Sequence, residues 1–106
     1  MNTAIPIIAP RDVLSLRGAT LIDVRMPEEY VGELGHIAGA LLKTLGPELD
    51  QYLEKLDRSD TLIFICRSGA RSGRATGQAM SLGFKKIYNM EGGMLAWNAQ
   101  ALPTTK

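Results

Sequence analysis

Short aliphatic runs alternate along the chain with segments whose apolar positions recur every three or four residues. Thr20–Val24 (TLIDV) and Thr61–Ile65 (TLIFI) are nearly continuous apolar stretches, as in strands buried on both faces. Weaker runs at Ile5–Ile8, Ala40–Leu42 and Lys86–Asn89 predict three more strands. The clearest helix is Pro47–Leu56, where Leu49, Tyr52, Leu53 and Leu56 fit the i, i+3, i+4, i+7 stripe. A second runs from about Arg71 to Leu82, with Ala75, Ala79 and Leu82 on one face and Gly83 as its stop. Gly73 and Gly77 cost that helix roughly 1 kcal/mol each, which predicts close packing against the sheet. Gly93–Ala101 predicts a last helix carrying Met94, Leu95 and Trp97, with Trp97 in the core and Gly92-Gly93 setting its start. Pro10 opens a short helix with Val13, Leu14 and Leu16 as its apolar residues and Gly18 as its end. Pro27 opens another, with Glu28 and Glu29 favourably placed for the helix dipole.

Strands that are apolar throughout, alternating with helices, imply an α/β fold built on a parallel sheet covered on both faces. In such sheets ligands sit in the crevice at the carboxyl ends of the strands. That points to the turns after Val24 and Ile65, where the unusual polar residues stand.

Composition narrows the function more than the fold. The 106 residues, 45% apolar and 22% charged, describe one ordinary globular domain, residues 1–106. One cysteine, Cys66, forms no internal disulfide, and with a single histidine, His36, it builds no zinc cage. No apolar run is long enough to cross a membrane, and the opening MNTAIPIIAP lacks the basic start of a signal peptide. A soluble cytoplasmic protein without metal or cofactor is the expectation. The net charge of +1 argues against nucleic acid as a partner, but it hides an asymmetry. Residues 61–90 carry five bases (Arg67, Arg71, Arg74, Lys85, Lys86) and no acid, while residues 1–60 carry an excess of acids. Cys66 lies in the basic window.

The stretch Cys66-Arg67-Ser68-Gly69-Ala70-Arg71-Ser72 falls between a buried strand and a helix. Such a turn aims successive backbone N–H groups at one point, and the helix start adds about half a positive charge. Gly69 permits the backbone conformation the turn requires, and Ser72 is placed to cap the helix. A thiol there is expected to be largely thiolate at neutral pH. The site suits a thiolate nucleophile attacking a substrate that brings its own negative charge, with no general base required. Asp23, between Ile22 and Val24, is expected to be buried and to need a partner, which Arg25 or a loop N–H supplies. His36 reads as a hydrogen-bonded structural residue.

With these residues in view, the chain resembles a single-domain rhodanese. The motifs that carry the resemblance are LIDVR (Leu21–Arg25), GHIAGA (Gly35–Ala40), ICRSGARS (Ile65–Ser72) and NMEGGMLAW (Asn89–Trp97). The resemblance implies a five-stranded parallel sheet flanked by helices on both faces, and sulfur transfer in two half-reactions. Cys66 would attack the outer sulfur of an anionic donor such as thiosulfate, and its persulfide would pass the sulfur to cyanide or a thiol, including one on an acceptor protein. By the same likeness Arg67, Ser68, Gly69, Ala70, Arg71 and Ser72 would bind the substrate. Asp23 and Arg25 would stand beside the loop, either supporting it or touching substrate. A persulfide carrier with little turnover is the alternative. Cysteine phosphatases and arsenate reductases stand further off, because phosphatases separate Cys and Arg by five residues and here four separate Cys66 from Arg71. Ala38, the Val31–Leu34 stretch and Leu42–Leu45 depart from the family pattern around the rim.

Overall fold

The computed structural model describes residues 4–106. Five strands and five helices follow in the order β1 (Ile7–Ile8), α1 (Pro10–Val13), β2 (Thr20–Asp23), α2 (Pro27–Tyr30), β3 (Leu41–Leu42), α3 (Pro47–Glu54), β4 (Thr61–Ile65), α4 (Ala70–Ser81), β5 (Lys86–Met90) and α5 (Gly93–Ala99). All strand pairs are parallel, in the order β1-β5-β4-β2-β3.

Side-chain alternation divides the core into two layers. Leu62, Phe64 and Cys66 point to one face, where Leu49 and Leu53 of α3 and Ala75 and Ala79 of α4 cover them. Ile63 and Ile65 point to the other, against Val13 of α1 and Met94 and Trp97 of α5. β4 is therefore buried on both sides, which is why it reads as unbroken apolar sequence. Each of its aliphatic side chains contributes about 1.5–3 kcal/mol by leaving water. Gly73 and Gly77 do pack closely: a Cβ on Gly73 would meet Asn89 Nδ2 at 3.3 Å, and one on Gly77 would meet Ile5 at 3.3 Å.

Two apolar expectations fail at helix ends. Leu14 is 58% exposed because α1 stops after a single turn, so the helical stripe never reaches it. Leu82 is 39% exposed because α4 ends at Ser81, and Phe84, beyond the Gly83 turn, fills that end of the core instead.

The sheet order also places the site. β2 leads away to β3 on one side, and β4 leads away to β5 on the other, so a crevice opens between their carboxyl ends. The register sets Asp23 opposite Ile65, and the N–H of Val24 donates to the carbonyl of Ile65 at 2.9 Å. α2, which buries no residue, lies after β2 and contributes to this crevice through Glu28 and Glu29. The C-terminal residues fold back, with His36 and Thr105 exchanging backbone hydrogen bonds of 2.8 and 2.9 Å.

Candidate active site

Cys66 is the first residue after β4, and only 1% of it is exposed. The chain turns from strand to helix within the next three residues. Gly69, at φ +106°, is the residue from which α4 starts. The turn is held from behind by α5. Met94 N–H donates to the carbonyl of Cys66 at 2.8 Å, and Leu95 N–H donates to that of Arg67 at 3.0 Å. Because trans peptides point C=O and N–H in opposite directions, drawing the Arg67 carbonyl toward α5 turns the N–H of Ser68 toward the sulfur. This contact requires Gly93. At its φ of +59°, a Cβ would lie 2.4 Å from the Arg67 oxygen and 2.5 Å from that of Cys66.

On the other side, the N–H of Gly69 donates to Cys66 Sγ at 3.0 Å and the hydroxyl of Ser72 lies 3.2 Å from it. Ser72 is fully buried. Its hydroxyl also lies 2.5 Å from Asn89 Oδ1, while Asn89 Nδ2 donates to the Gly69 carbonyl at 3.1 Å. The expectation that Ser72 caps the helix is thus corrected: Gly69 is the capping residue, without a side-chain bond, and the Ser72 hydroxyl faces the sulfur. Burial pushes the Cys66 thiol up, but the Ser72 hydroxyl and the amides of Ser72, Gly69 and Ser68 outweigh it and hold the thiol below its ordinary value. Among the described residues, no histidine or carboxylate hydrogen-bonds to Sγ.

The two arginines of the loop differ. Arg67 is exposed and lines a cavity of about 370 Å³ at the crevice. Arg71 reaches away to Glu29 in a two-pronged ion pair of 2.7 and 2.9 Å. The Arg71 guanidinium holds the Glu29 carboxyl down at about 2 against its desolvation, with help from the N–H of Met26. Glu28 and Glu33 line the same cavity as Arg67. The basic window of the sequence is therefore not acid-free in space.

Asp23 and Arg25 lie beside the loop and bond chiefly to each other. They are 0% and 1% exposed. Asp23 Oδ1 accepts the backbone N–H of Arg25 at 3.1 Å and its Nε–H at 2.9 Å, and Oδ2 accepts from NH2 at 2.8 Å. The same NH2 donates to the Gly35 carbonyl at 2.8 Å. His36 is bonded through Nδ1 to the Tyr30 carbonyl at 2.7 Å and its ring stacks on that of Tyr30. Ser68 and Ala70 are exposed on the turn.

The structure thus gathers Cys66, Gly69 and Ser72 around one sulfur and sets Arg67 at the adjoining cavity. Sequence reasoning missed Asn89, Glu29 and the role of Gly93. Asn89 carried a weak signal, a polar residue inside an apolar strand two positions after buried Ile87 and so on the α4 side. Among the described residues, no cluster of three or more His, Cys, Asp or Glu could hold a metal. None of the described helices is long and apolar enough to cross a membrane.

A parallel α/β sheet with a buried thiol in an amide-lined turn at its switch point defines the class of protein. Residues 10–100 match the family model of the rhodanese-like domain, and the chain belongs to that family. It is 42% identical over 83 residues to the putative sulfurtransferase YtwF of Bacillus subtilis, covering 78% of this chain and 77% of that one. It is 39% identical over 102 residues to the uncharacterized protein slr1261 of Synechocystis, covering 93% of this chain but only 55% of that relative's length. The human single-domain sulfurtransferase TSTD1 superposes with a TM-score of 0.77 at 30% identity, covering 90% of this chain and 96% of that one.

Proposed function

We propose that the chain transfers sulfane sulfur from thiosulfate or a similar anionic donor to cyanide or a thiol, through a persulfide on Cys66. The observation that carries this reading is the single buried Sγ facing the Gly69 N–H and the Ser72 hydroxyl, with its thiol held below the ordinary value. In the first half-reaction Sγ attacks the outer sulfur of the donor. A new S–S bond forms, the donor's S–S bond breaks, and sulfite leaves with the electron pair. In the second, cyanide or a thiolate attacks the outer sulfur and Sγ departs as thiolate. Neither step requires a proton to move, which suits a site whose sulfur has no base beside it. The amides of Ser68, Gly69 and Ser72 line the cradle, and Ala70 begins the helix behind it. Arg67 meets the donor's anionic group, while Arg71 is committed to Glu29 and acts through its field. Asp23 and Arg25 support the loop, most of their hydrogen bonds being made to each other and to Gly35, while Arg25 also lines the cavity beside Arg67. The names of YtwF and TSTD1 support the same reading. A thiolate in this role belongs in a reducing compartment such as the cytoplasm.

Intact mass after incubation with thiosulfate is expected to rise by one sulfur atom, and cyanide is expected to release it as thiocyanate. Cys66→Ser should abolish both, by more than about 10³-fold in rate. No added sulfur and no thiocyanate would overturn the reading. A persulfide carrier is the second reading, favoured by the depth of Cys66 and the lack of a resolving thiol in the sequence. Fast discharge to an acceptor protein with slow turnover on small thiols selects it. Release of phosphate from aryl phosphates that depends on Cys66 selects a phosphatase instead.

A further inference from the structure

The Ser72 hydroxyl carries one proton and faces two acceptors, Asn89 Oδ1 at 2.5 Å and Cys66 Sγ at 3.2 Å. The orientation of the Asn89 amide follows from its other contact. The Gly69 carbonyl, 3.1 Å away, can only accept, so the NH2 end of Asn89 faces it. Oδ1 therefore faces Ser72, and as an acceptor it requires the Ser72 proton. A neutral thiol leaves that arrangement undisturbed, because its S–H can donate to Ser72 Oγ. A thiolate competes for the proton. A persulfide does not compete, since its charge lies on the outer sulfur and Sγ becomes a weakly accepting bridge.

We propose that Asn89 is a positioning residue for the chemistry at Cys66, holding the Ser72 hydroxyl proton while Sγ is bonded to a second sulfur and yielding it when Sγ carries charge. The proposal rests on the sulfur-transfer reading. The proton stays on Ser72 Oγ throughout, and only the hydroxyl rotates. As Sγ bonds to the donor's outer sulfur and sulfite leaves with its electron pair, the hydroxyl swings to Asn89, so the hydrogen bond lost by the nucleophile is replaced. As the acceptor takes the outer sulfur and Sγ leaves with its electron pair, the hydroxyl swings back to stabilise the departing thiolate. The Gly69 carbonyl that fixes the orientation of Asn89 also accepts the N–H of Gly73 at 3.0 Å, so the turn keeps that helix bond without Asn89.

The charged groups around the sulfur do not distinguish the two hydroxyl positions. They are Arg67 on the loop, Arg71 of α4 paired with Glu29 of α2, and Arg25 paired with Asp23 after β2. The turn between β5 and α5 contributes only the exposed Glu91.

The test is the thiolate titration of Cys66, followed by ultraviolet absorbance in the free protein and in Asn89→Leu, Ser72→Ala and the double variant. Asn89→Leu is expected to lower the midpoint by about half a pH unit, because Ser72 then serves the thiolate alone. Ser72→Ala is expected to raise it. In the Ser72→Ala background, Asn89→Leu is expected to change nothing, since residues acting through one another do not add. A residue that only braced the loop would raise the midpoint in both backgrounds, and that result, or no shift at all, overturns the proposal. Asn89→Ser, read in the same way, replaces the leucine variant if that does not fold. Asn89→Leu should also slow sulfur loading from thiosulfate by about fivefold while sparing discharge, as expected of an over-stabilised nucleophile. Failure of the wild type to load sulfur would count against sulfur transfer itself, whereas the titration needs no donor and decides the role of Asn89 separately.

Discussion

The carboxyl ends of β2 and β4 lie side by side, and both bury polar groups, yet they are built in opposite ways. After β2, Asp23 and Arg25 close on each other. The carboxylate accepts three N–H donors from Arg25, and the guanidinium reaches on to Gly35. After β4, Gly69 N–H and Ser72 O–H converge on a lone sulfur that carries no fixed opposite charge beside it. An ion pair so closed commits most of its donors to itself, and Arg25 keeps only the edge that lines the cavity beside Arg67. An amide-lined turn around a thiol keeps its donors for whatever charge the sulfur acquires. Burial of charged groups in a crevice therefore does not by itself mark chemistry. Donors aimed at an atom that can change its bonding do.

The largest expected effect falls on the closed end. Asp23→Ala would leave Arg25 buried with only the Gly35 carbonyl, at a cost of about 3–5 kcal/mol in chemical unfolding. In the folded fraction the Cys66 titration should stay within a few tenths of a pH unit. A full unit of movement would mean that the two strand ends form one electrostatic device and are not built in opposite ways.

The open end should fail differently. Gly93→Ala pushes a methyl group into the carbonyls of Cys66 and Arg67 and strains a backbone at φ +59°. The thiol should rise toward its ordinary range and sulfur loading should fall more than about tenfold, with a stability loss of about 1–3 kcal/mol. A variant that is destabilised yet keeps a depressed thiol would show that α5 does not aim the cradle.

Glu29→Gln probes the bridge across the crevice and should have the smallest effect. The pair with Arg71 is nearly a third exposed, so its loss costs less than about 1 kcal/mol. The folded Glu29 titrates at about 2 against an ordinary 4.5. Its contribution is therefore present above pH 4.5 and lost as pH falls through 2. Wild type and variant should differ at neutral pH in thermal unfolding and converge near pH 2. The freed Arg71 should lower KM for thiosulfate about twofold, and an unchanged KM would place Arg71 outside the donor's reach.

Much of the fold was legible because its signals are local. The four apolar residues of β4, Leu62 to Ile65, read correctly because a strand buried on both faces leaves no polar alternation to misread. Ala75 and Ala79 of α4 and the Gly69 turn read correctly for similar reasons. The errors at Leu14 and Leu82 arose where helices ended within one turn of the expected stripe, and helix length depends on what the end packs against.

At the site, the sequence by itself determined the nucleophile candidate, the turn that carries it and the buried Asp23 with its partner two residues away. All of these rest on neighbours in the chain. The distant partners of the loop were set by tertiary structure alone. Asn89 lies 17 residues from Ser72, and Glu29 lies 42 residues from Arg71. Gly93 meets the loop only because β5 lies beside β4. The sheet order brings β2 and β5 to either side of β4, and with them an acid and an amide into the neighbourhood of a segment that contains no acid of its own. Charge counted along a chain ignores that order, whereas the field and the hydrogen bonds at the sulfur depend on distance in space.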